Sequence, residues 1–204
     1  MLTNFQLGCG TALPSLATFQ WFLELSQKGQ TGTLDLGLAD YNPTVLQLVT
    51  LPNIILSWAQ VLRKDSWEPE GEFEIDADII RQFLSSLKSH NIRLSLFSGA
   101  WSPEFSTLVF QSMGSRPAHL TILGAETIYS PVALRSFADT LMSLLDGMPG
   151  GEKIALVAAK KVYFGVGGSI EDFCDAVRAK GASVKQIREE SDGVRRAVVE
   201  VASK

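Results

Sequence analysis

Close to the start of the chain a short apolar run turns on two glycines straight into a helix: Leu7-Gly8-Cys9-Gly10-Thr11-Ala12-Leu13-Pro14-Ser15. Glycine lets the backbone take a left-handed turn and approach a ligand closely, and the helix N-terminus beyond it presents free N–H groups. A second apolar run, Leu36-Gly37-Leu38-Ala39, follows at the distance of the next strand and ends on Asp40-Tyr41-Asn42. An acid at that place accepts hydrogen bonds from both hydroxyls of a ribose. Together the two signals read as an adenosine site on a β-α-β unit. Alone, Gly8-Cys9-Gly10 is equally a tight strand-to-helix turn.

Two details turn the reading away from dinucleotides. The dinucleotide fingerprint needs a third glycine three residues after the second, where Leu13 stands, and an acid about 20 residues on, whereas Asp40 lies well beyond that. A methyl-donor nucleotide fits better. S-adenosylmethionine has no pyrophosphate to neutralise and needs only a close-approach glycine turn.

Alternation of strand and helix patterns continues along the chain. Phe5-Gln6-Leu7 begins the first strand, and Pro14 opens a helix through about Ser26. Residues 33–39 form the second strand. Pro43 opens a helix with Val45, Leu46, Val49 and Ile54 as core positions. Asp76 or Asp78 caps a helix whose Ile79, Ile80, Phe83, Leu84 and Leu87 follow helical spacing. Residues 92–97 and 119–123 are the third and fourth strands, 131–145 the next helix, and 153–159 the fifth strand. Ser169 and Asp172 form a capping box for a helix ending at Lys180-Gly181. Residues 184–188 and 196–201 flank Ser191-Asp192-Gly193 as a hairpin. Strands separated by helices predict a mostly parallel α/β sheet with helices on both faces, and the closing hairpin puts an antiparallel strand at its edge.

With 204 residues, 46% hydrophobic and 20% charged, residues 1–204 are long and apolar enough to form one globular domain. Cys9 and Cys174 give neither a disulfide framework nor metal-ligand spacing, which suits a reducing compartment, and His90 and His119 are remote from both, so no zinc is expected. The apolar runs are short and punctuated by charge or proline, predicting no membrane span. A net charge of −4 argues against direct nucleic-acid binding. The acidic stretch Asp65, Glu68, Glu70, Glu72, Glu74, Asp76, Asp78 reads as a solvated loop, or as a steering patch for a basic partner.

The pattern resembles the Rossmann-like, seven-strand class I methyltransferases, which close on an antiparallel hairpin. Within them, Glu126-Thr127-Ile128-Tyr129 is similar to the acid-x-x-aromatic motif of enzymes that modify lysine and histidine side chains of proteins. The glycine turn, Ala39-Asp40-Tyr41-Asn42, Leu48-Val49-Thr50-Leu51-Pro52-Asn53, Ser98-Gly99-Ala100-Trp101 and Lys161-Val162-Tyr163-Phe164-Gly165-Val166-Gly167-Gly168 resemble the histidine protein methyltransferase family over nearly the whole chain. Known members methylate a histidine of a large-subunit ribosomal protein.

The resemblance implies S-adenosylmethionine as cofactor. Gly8, Cys9 and Gly10 would then approach its methionine part, Asp40 would hold the ribose with Tyr41 or Asn42 beside the adenine, and Gly99-Ala100-Trp101 would close over the adenine ring, where an aromatic face stacks. Trp101 followed by Ser102-Pro103 is alternatively a buried loop anchor. Glu126 and Tyr129 are the candidates for the target pocket, Glu126 orienting the imidazole and Tyr129 walling it. The competing role for Glu126 is to cap the helix near Pro131. The glycines at 165–168 either shape the substrate entrance or permit a tight turn before Ser169. A protein substrate and a cytoplasmic and nuclear location are further implications.

The chain departs from the family in two places. Gln6 stands where an acid usually helps organise the cofactor loop, and the family carries a long segment before the glycine turn, whereas seven residues precede Gly8 here. A lysine methyltransferase of the same group and a non-catalytic cofactor-binding module are the alternative functions.

Overall fold

In the second strand every other side chain is a leucine, and that alternation places it at the centre of two cores. A computed structural model of the chain describes residues 1–62, 70–113, 118–163, 168–190 and 193–203. Leu34, Leu36 and Leu38 of β2 (Leu34–Asp40) face a core built with α1 (Leu13–Gln27), α3 (Leu51–Leu62) and α4 (Ala77–Ser89). The opposite face of the sheet carries Phe5 and Leu7 of β1 (Leu2–Leu7) and Ala39, packed against α5 (Pro103–Met113), α6 (Pro131–Gly147) and α7 (Ile170–Ala179). Gly37 is required between them, because a Cβ there would overlap the Phe5 ring and the Met113 sulfur. Helices thus cover both faces, as expected.

The remaining strands are β3 (Ile92–Ser98), β4 (Ala118–Ala125), β5 (Gly150–Lys160), β6 (Ser183–Glu190) and β7 (Arg196–Ala202), in the order β3-β2-β1-β4-β5-β7-β6. Strands β3, β2, β1, β4 and β5 are parallel, and β7 runs antiparallel to both β5 and β6. This is the seven-strand class I methyltransferase architecture. One detail corrects the sequence reading: the antiparallel strand is not at the edge but one place in. The reason lies in composition. Ala197, Val199 and Val201 of β7 are buried, whereas β6 reads Ser-Val-Lys-Gln-Ile-Arg-Glu-Glu and is exposed almost throughout, the charged chemistry that protects an edge.

Other differences have local causes. Between α2 (Pro43–Val45) and α3 the chain makes a π-helical turn, Leu46–Thr50, and the extra residue rotates Thr50 inward and Val49 outward. Leu46 and Ile54 are core as predicted; Val49 is exposed and Val45 half-buried. In α4 the buried stripe is Ile79, Phe83 and Leu87, spaced by four, while Ile80 and Leu84 flank it in solvent. Asp76, not Asp78, caps that helix, its Oδ1 accepting the Ile79 N–H at 2.8 Å. Helix α5 was not foreseen from the sequence. The continuous stretch Pro43–Leu62 is long and apolar enough by composition to cross a membrane, contrary to the sequence reading, but Ile54, Ile55, Trp58, Ala59 and Val61 are buried in the core with α1, as in a core helix.

Candidate functional site

Parallel pairing brings the carboxyl ends of β1 to β5 to one edge, where open α/β sheets bind ligands. The register sets Leu7 beside Ala39 and Gly124, Asp40 beside Ser98, and Ala125 beside Ala158. The turn after β1, the end of β2 and the loops after β3, β4 and β5 are therefore neighbours.

The glycine turn is left-handed at Gly8 (φ 65°), Gly10 (φ 50°) and Ala12 (φ 61°). A Cβ on Gly8 would stand 2.9 Å from Thr127 Cγ2 and 3.5 Å from the Trp101 ring, so close approach is needed there. Around Gly10 nothing lies within 4 Å of such an atom, and its N–H donates to Asp40 Oδ2 at 3.0 Å. Asp40 Oδ1 accepts the Asn42 N–H at 3.1 Å. Each carboxylate oxygen keeps a lone pair for a ligand.

Buried Gln6 organises the loop from beneath: its Oε1 accepts the Ser15 N–H at 3.2 Å and its Nε2 donates to the Cys9 carbonyl at 3.5 Å. From the side, the Thr50 hydroxyl donates to the Gly10 carbonyl at 2.7 Å and Asn53 Nδ2 to the Thr11 carbonyl at 3.0 Å. The π turn that brings Thr50 inward is thus used to hold the turn. Sequence reasoning missed both Thr50 and Asn53, although the Leu48–Asn53 motif contained them.

Cys9 turns its side chain inward. Its thiol is buried in the core 3.6 Å from Thr50 Oγ1, its N–H donates to the Ala39 carbonyl at 2.8 Å, and its own carbonyl takes the Ala12 N–H at 2.7 Å. Its thiol thus faces the core, and burial pushes that thiol up to about 11.

The other cofactor-side candidates are distributed as follows. Asn42 caps α2 by accepting the Thr44 N–H at 2.9 Å, and Tyr41 is exposed. Gly99 (φ 144°) donates to the Asp40 carbonyl at 3.3 Å, tying the loop after β3 to the end of β2. Ala100 is exposed. Trp101 is half-buried, edge-on to Phe137 with centroids 5.4 Å apart, and reaches the Gly8 turn. It is an anchor whose place beside the glycines also suits ligand contact.

After β4, Glu126 takes a left-handed conformation (φ 57°), which a side chain other than glycine adopts at a cost, and its N–H is held by the Ala158 carbonyl at 2.9 Å. Its carboxylate does not cap the following helix: Ser130 does, accepting the Ala133 N–H at 3.2 Å. Instead Oε2 accepts the Tyr163 hydroxyl at 2.9 Å and Oε1 accepts Arg196 Nε at 3.2 Å. The Lys160 N–H donates to the Tyr163 oxygen at 3.3 Å, and burial, reinforced by the Glu126 carboxylate, pushes that phenol up to about 12. Tyr129, the aromatic of the motif, is exposed; the tyrosine on Glu126 is Tyr163, far along the chain. Thr127, buried between, has a hydroxyl with no partner among the described residues.

A cleft of about 800 Å³ opens beside Tyr163, lined by Lys160, Lys161, Val162, Val194 and Arg195 among others. Lys161 and Arg195 both pair with Glu189, whose carboxyl is held down to about 2 chiefly by the Lys161 and Arg195 hydrogen bonds. Gly168 (φ 98°) packs where a Cβ would meet the Ile128 carbonyl at 2.8 Å, so it permits close packing of the loops after β4 and β5. Residues 164–167 of that glycine segment, Asp65 and Glu68 of the acidic stretch, and Ser191 and Asp192 of the hairpin turn lie outside the described residues. Glu70, Glu72 and Glu74 are exposed, as for a solvated loop.

The arrangement fits S-adenosylmethionine. Gly10 leaves open space beside an acid with free lone pairs, and the Thr127 methyl closes the other side of the turn against Gly8.

No protein-family profile matches the chain. It is 36% identical over 181 residues to histidine protein methyltransferase 1 of Saccharomyces cerevisiae, covering 82% of this chain and 47% of that protein. The Schizosaccharomyces pombe protein of the same name is 33% identical over 203 residues, 98% of this chain and 56% of its own. The chain is homologous to the histidine protein methyltransferases. It spans about half the length of these curated relatives. The Bos taurus histidine protein methyltransferase 1 homolog is 31% identical over 97% of this chain and 48% of its own. Among solved structures, a Pyrococcus furiosus methyltransferase matches 98% of this chain and 73% of its own at 10% identity with a TM-score of 0.46. The Schizosaccharomyces pombe similarity, over 98% of this chain, takes in the whole sheet.

Proposed function

We propose that this chain binds S-adenosylmethionine at the Gly8–Gly10 turn and directs methyl transfer to a ring nitrogen of a protein histidine, in a large-subunit ribosomal protein as the family resemblance implies. A cytoplasmic and nuclear location goes with that substrate. When bound, S-adenosylmethionine supplies a methyl on a sulfonium sulfur; the imidazole lone pair forms the new C–N bond as the C–S electrons leave on sulfur.

In this reading the protein's part is alignment and charge placement. An imidazole with a pKa of ~6.5 is mostly neutral at neutral pH and already has one free lone pair, so a strong base is unnecessary. Glu126 accepts the N–H of the other ring nitrogen, fixes the tautomer and offsets the positive charge that develops on the ring. The observation that carries this is the carboxylate of Glu126, set at the carboxyl end of β4 one residue from the Thr127 that touches the glycine turn.

Calorimetry with S-adenosylmethionine, followed by methylation of a histidine-containing ribosomal protein, tests the reading. Binding is expected, and Glu126→Ala is expected to keep it while lowering the rate of transfer by about a hundredfold. An undiminished rate removes Glu126 from the reaction, and absence of binding removes the proposed function.

A further inference from the structure

Glu126 is not a bare carboxylate. Arg196, from the first position of β7, donates to one oxygen, and Tyr163, from the segment after β5, donates to the other. Lys160 lies over the Tyr163 ring, its Nζ 5.6 Å from the centroid. Among the described residues, the charged groups meeting here are Glu126 after β4, Lys160 at the end of β5 and Arg196 on β7, and Glu171 of α7 lines the same cleft. Lys161 and Arg195, further along it, are balanced against Glu189. The Glu126 carboxylate itself is therefore matched by a guanidinium, with the Lys160 ammonium nearby.

From this, and resting on the proposed function, we infer that Arg196 sets the choice of side chain. It selects a neutral imidazole and turns away a charged ammonium. A free carboxylate attracts a lysine ammonium more strongly than an imidazole N–H, because an opposite charge stabilises the charged form. With Arg196 on its Oε1, Glu126 keeps lone pairs to accept an N–H and to share in the partial charge that develops on the ring, but it holds a full ammonium far less strongly than a free carboxylate does. An incoming lysine meets Arg196 and Lys160 as like charges. Exclusion by repulsion is an ordinary way to discriminate between two ligands of similar size. Tyr163, neutral at physiological pH, fixes the orientation of the carboxylate without altering that balance. Arg196 and Tyr163 act through Glu126 and are positioning residues.

The test reads binding, independently of turnover. The chain saturated with S-adenosylhomocysteine is titrated with acetylated, amidated Gly-Gly-His-Gly-Gly and Gly-Gly-Lys-Gly-Gly and followed by amide NMR shifts. At about pH 7.5 the histidine peptide is expected to bind about tenfold tighter than the lysine peptide. That preference shrinks towards about pH 5.5 as the imidazole becomes charged. Arg196→Gln is expected to bring the two affinities within about twofold or to reverse them. Arg196→Lys, which restores the charge, keeps the preference, and so does Tyr163→Phe, which removes a hydrogen bond but no charge. Arg196 is half-exposed, so the substitutions leave the core intact, and thermal unfolding checks this.

Arg196→Gln with undiminished selection of histidine overturns the inference alone, while the proposed function stands. A native chain that prefers the lysine peptide overturns both. Failure to bind S-adenosylhomocysteine, seen before any peptide is added, overturns the proposed function and with it this inference.

Discussion

The hydroxyl of Thr50 donates to the backbone carbonyl of Gly10 at 2.7 Å, and Cys9 Sγ lies 3.6 Å from that Thr50 hydroxyl oxygen. One buried threonine in a π-helical turn thus serves both sides of the glycine turn. Thr50→Val keeps the shape and strands these groups, at a cost of about 1–3 kcal/mol in stability by urea unfolding. Thr50→Ser restores the hydrogen bonds and is expected to recover most of the loss. If Val and Ser behave alike, the hydroxyl is not what holds the turn.

The two glycines of the turn are expected to fail differently. At Gly8 an added Cβ meets Thr127 and the backbone is left-handed, so Gly8→Ala combines strain with a clash. At Gly10 the backbone is left-handed but the space is open, and Gly10→Ala carries only the conformational cost, about 1–2 kcal/mol. That open space faces the proposed ligand, so Gly10→Ala is expected to keep a cooperative melt and lose S-adenosylmethionine binding. A Gly10→Ala protein that binds normally by calorimetry moves the ligand away from Gly10.

Asp40 joins the ends of two strands before it meets any ligand. Asp40→Ala removes the acceptor for the Gly10 and Asn42 N–H groups as well as the proposed ribose contact. Binding is expected to weaken about a hundredfold, the order of two charged hydrogen bonds. Asp40→Asn keeps an acceptor and is expected to fall between. Binding by the alanine variant at native strength refutes the assignment.

What was readable in the sequence was what local chemistry encodes. Gly8, Gly10 and Asp40 declare a turn and an acid at strand ends, and the Ser169 cap sits where a side chain begins a helix. Helix α5 carries equal signals, since Ser102 Oγ accepts the Phe105 N–H at 3.2 Å with Pro103 behind it, but Trp101-Ser102-Pro103 also reads as a loop anchor. The partners of Glu126 were not readable. Tyr163 and Arg196 reach it only because β5 and β7 pair, and pairing order is a property of the sheet. Cys9 illustrates the same limit: its place in the turn was evident, but which way its side chain faced was decided by the core beneath.

Alkaline titration reports on Cys9 and Tyr163, two of the groups whose protons burial holds. Burial raises the Cys9 thiol from 9.0 to about 11, and burial with the Glu126 carboxylate raises the Tyr163 phenol from 10.0 to about 12. In each case the folded protein holds its proton to higher pH than the unfolded chain. Between the two values the folded state therefore binds more protons, and stability falls as pH rises. The contribution of each group is complete below its unfolded value and is lost through the folded one. Unfolding free energy is accordingly expected to decline from about pH 9, first through Cys9 and then, above about pH 10, through Tyr163. Cys9→Ala should flatten the first part of the decline and Tyr163→Phe the second. Because the thiol is both buried and protonated, it should also resist alkylation in the native protein at neutral pH and react on unfolding. A Cys9→Ala profile that overlays the native one, or rapid native-state alkylation of Cys9, contradicts the buried position against Thr50 on which the shape of the glycine turn depends.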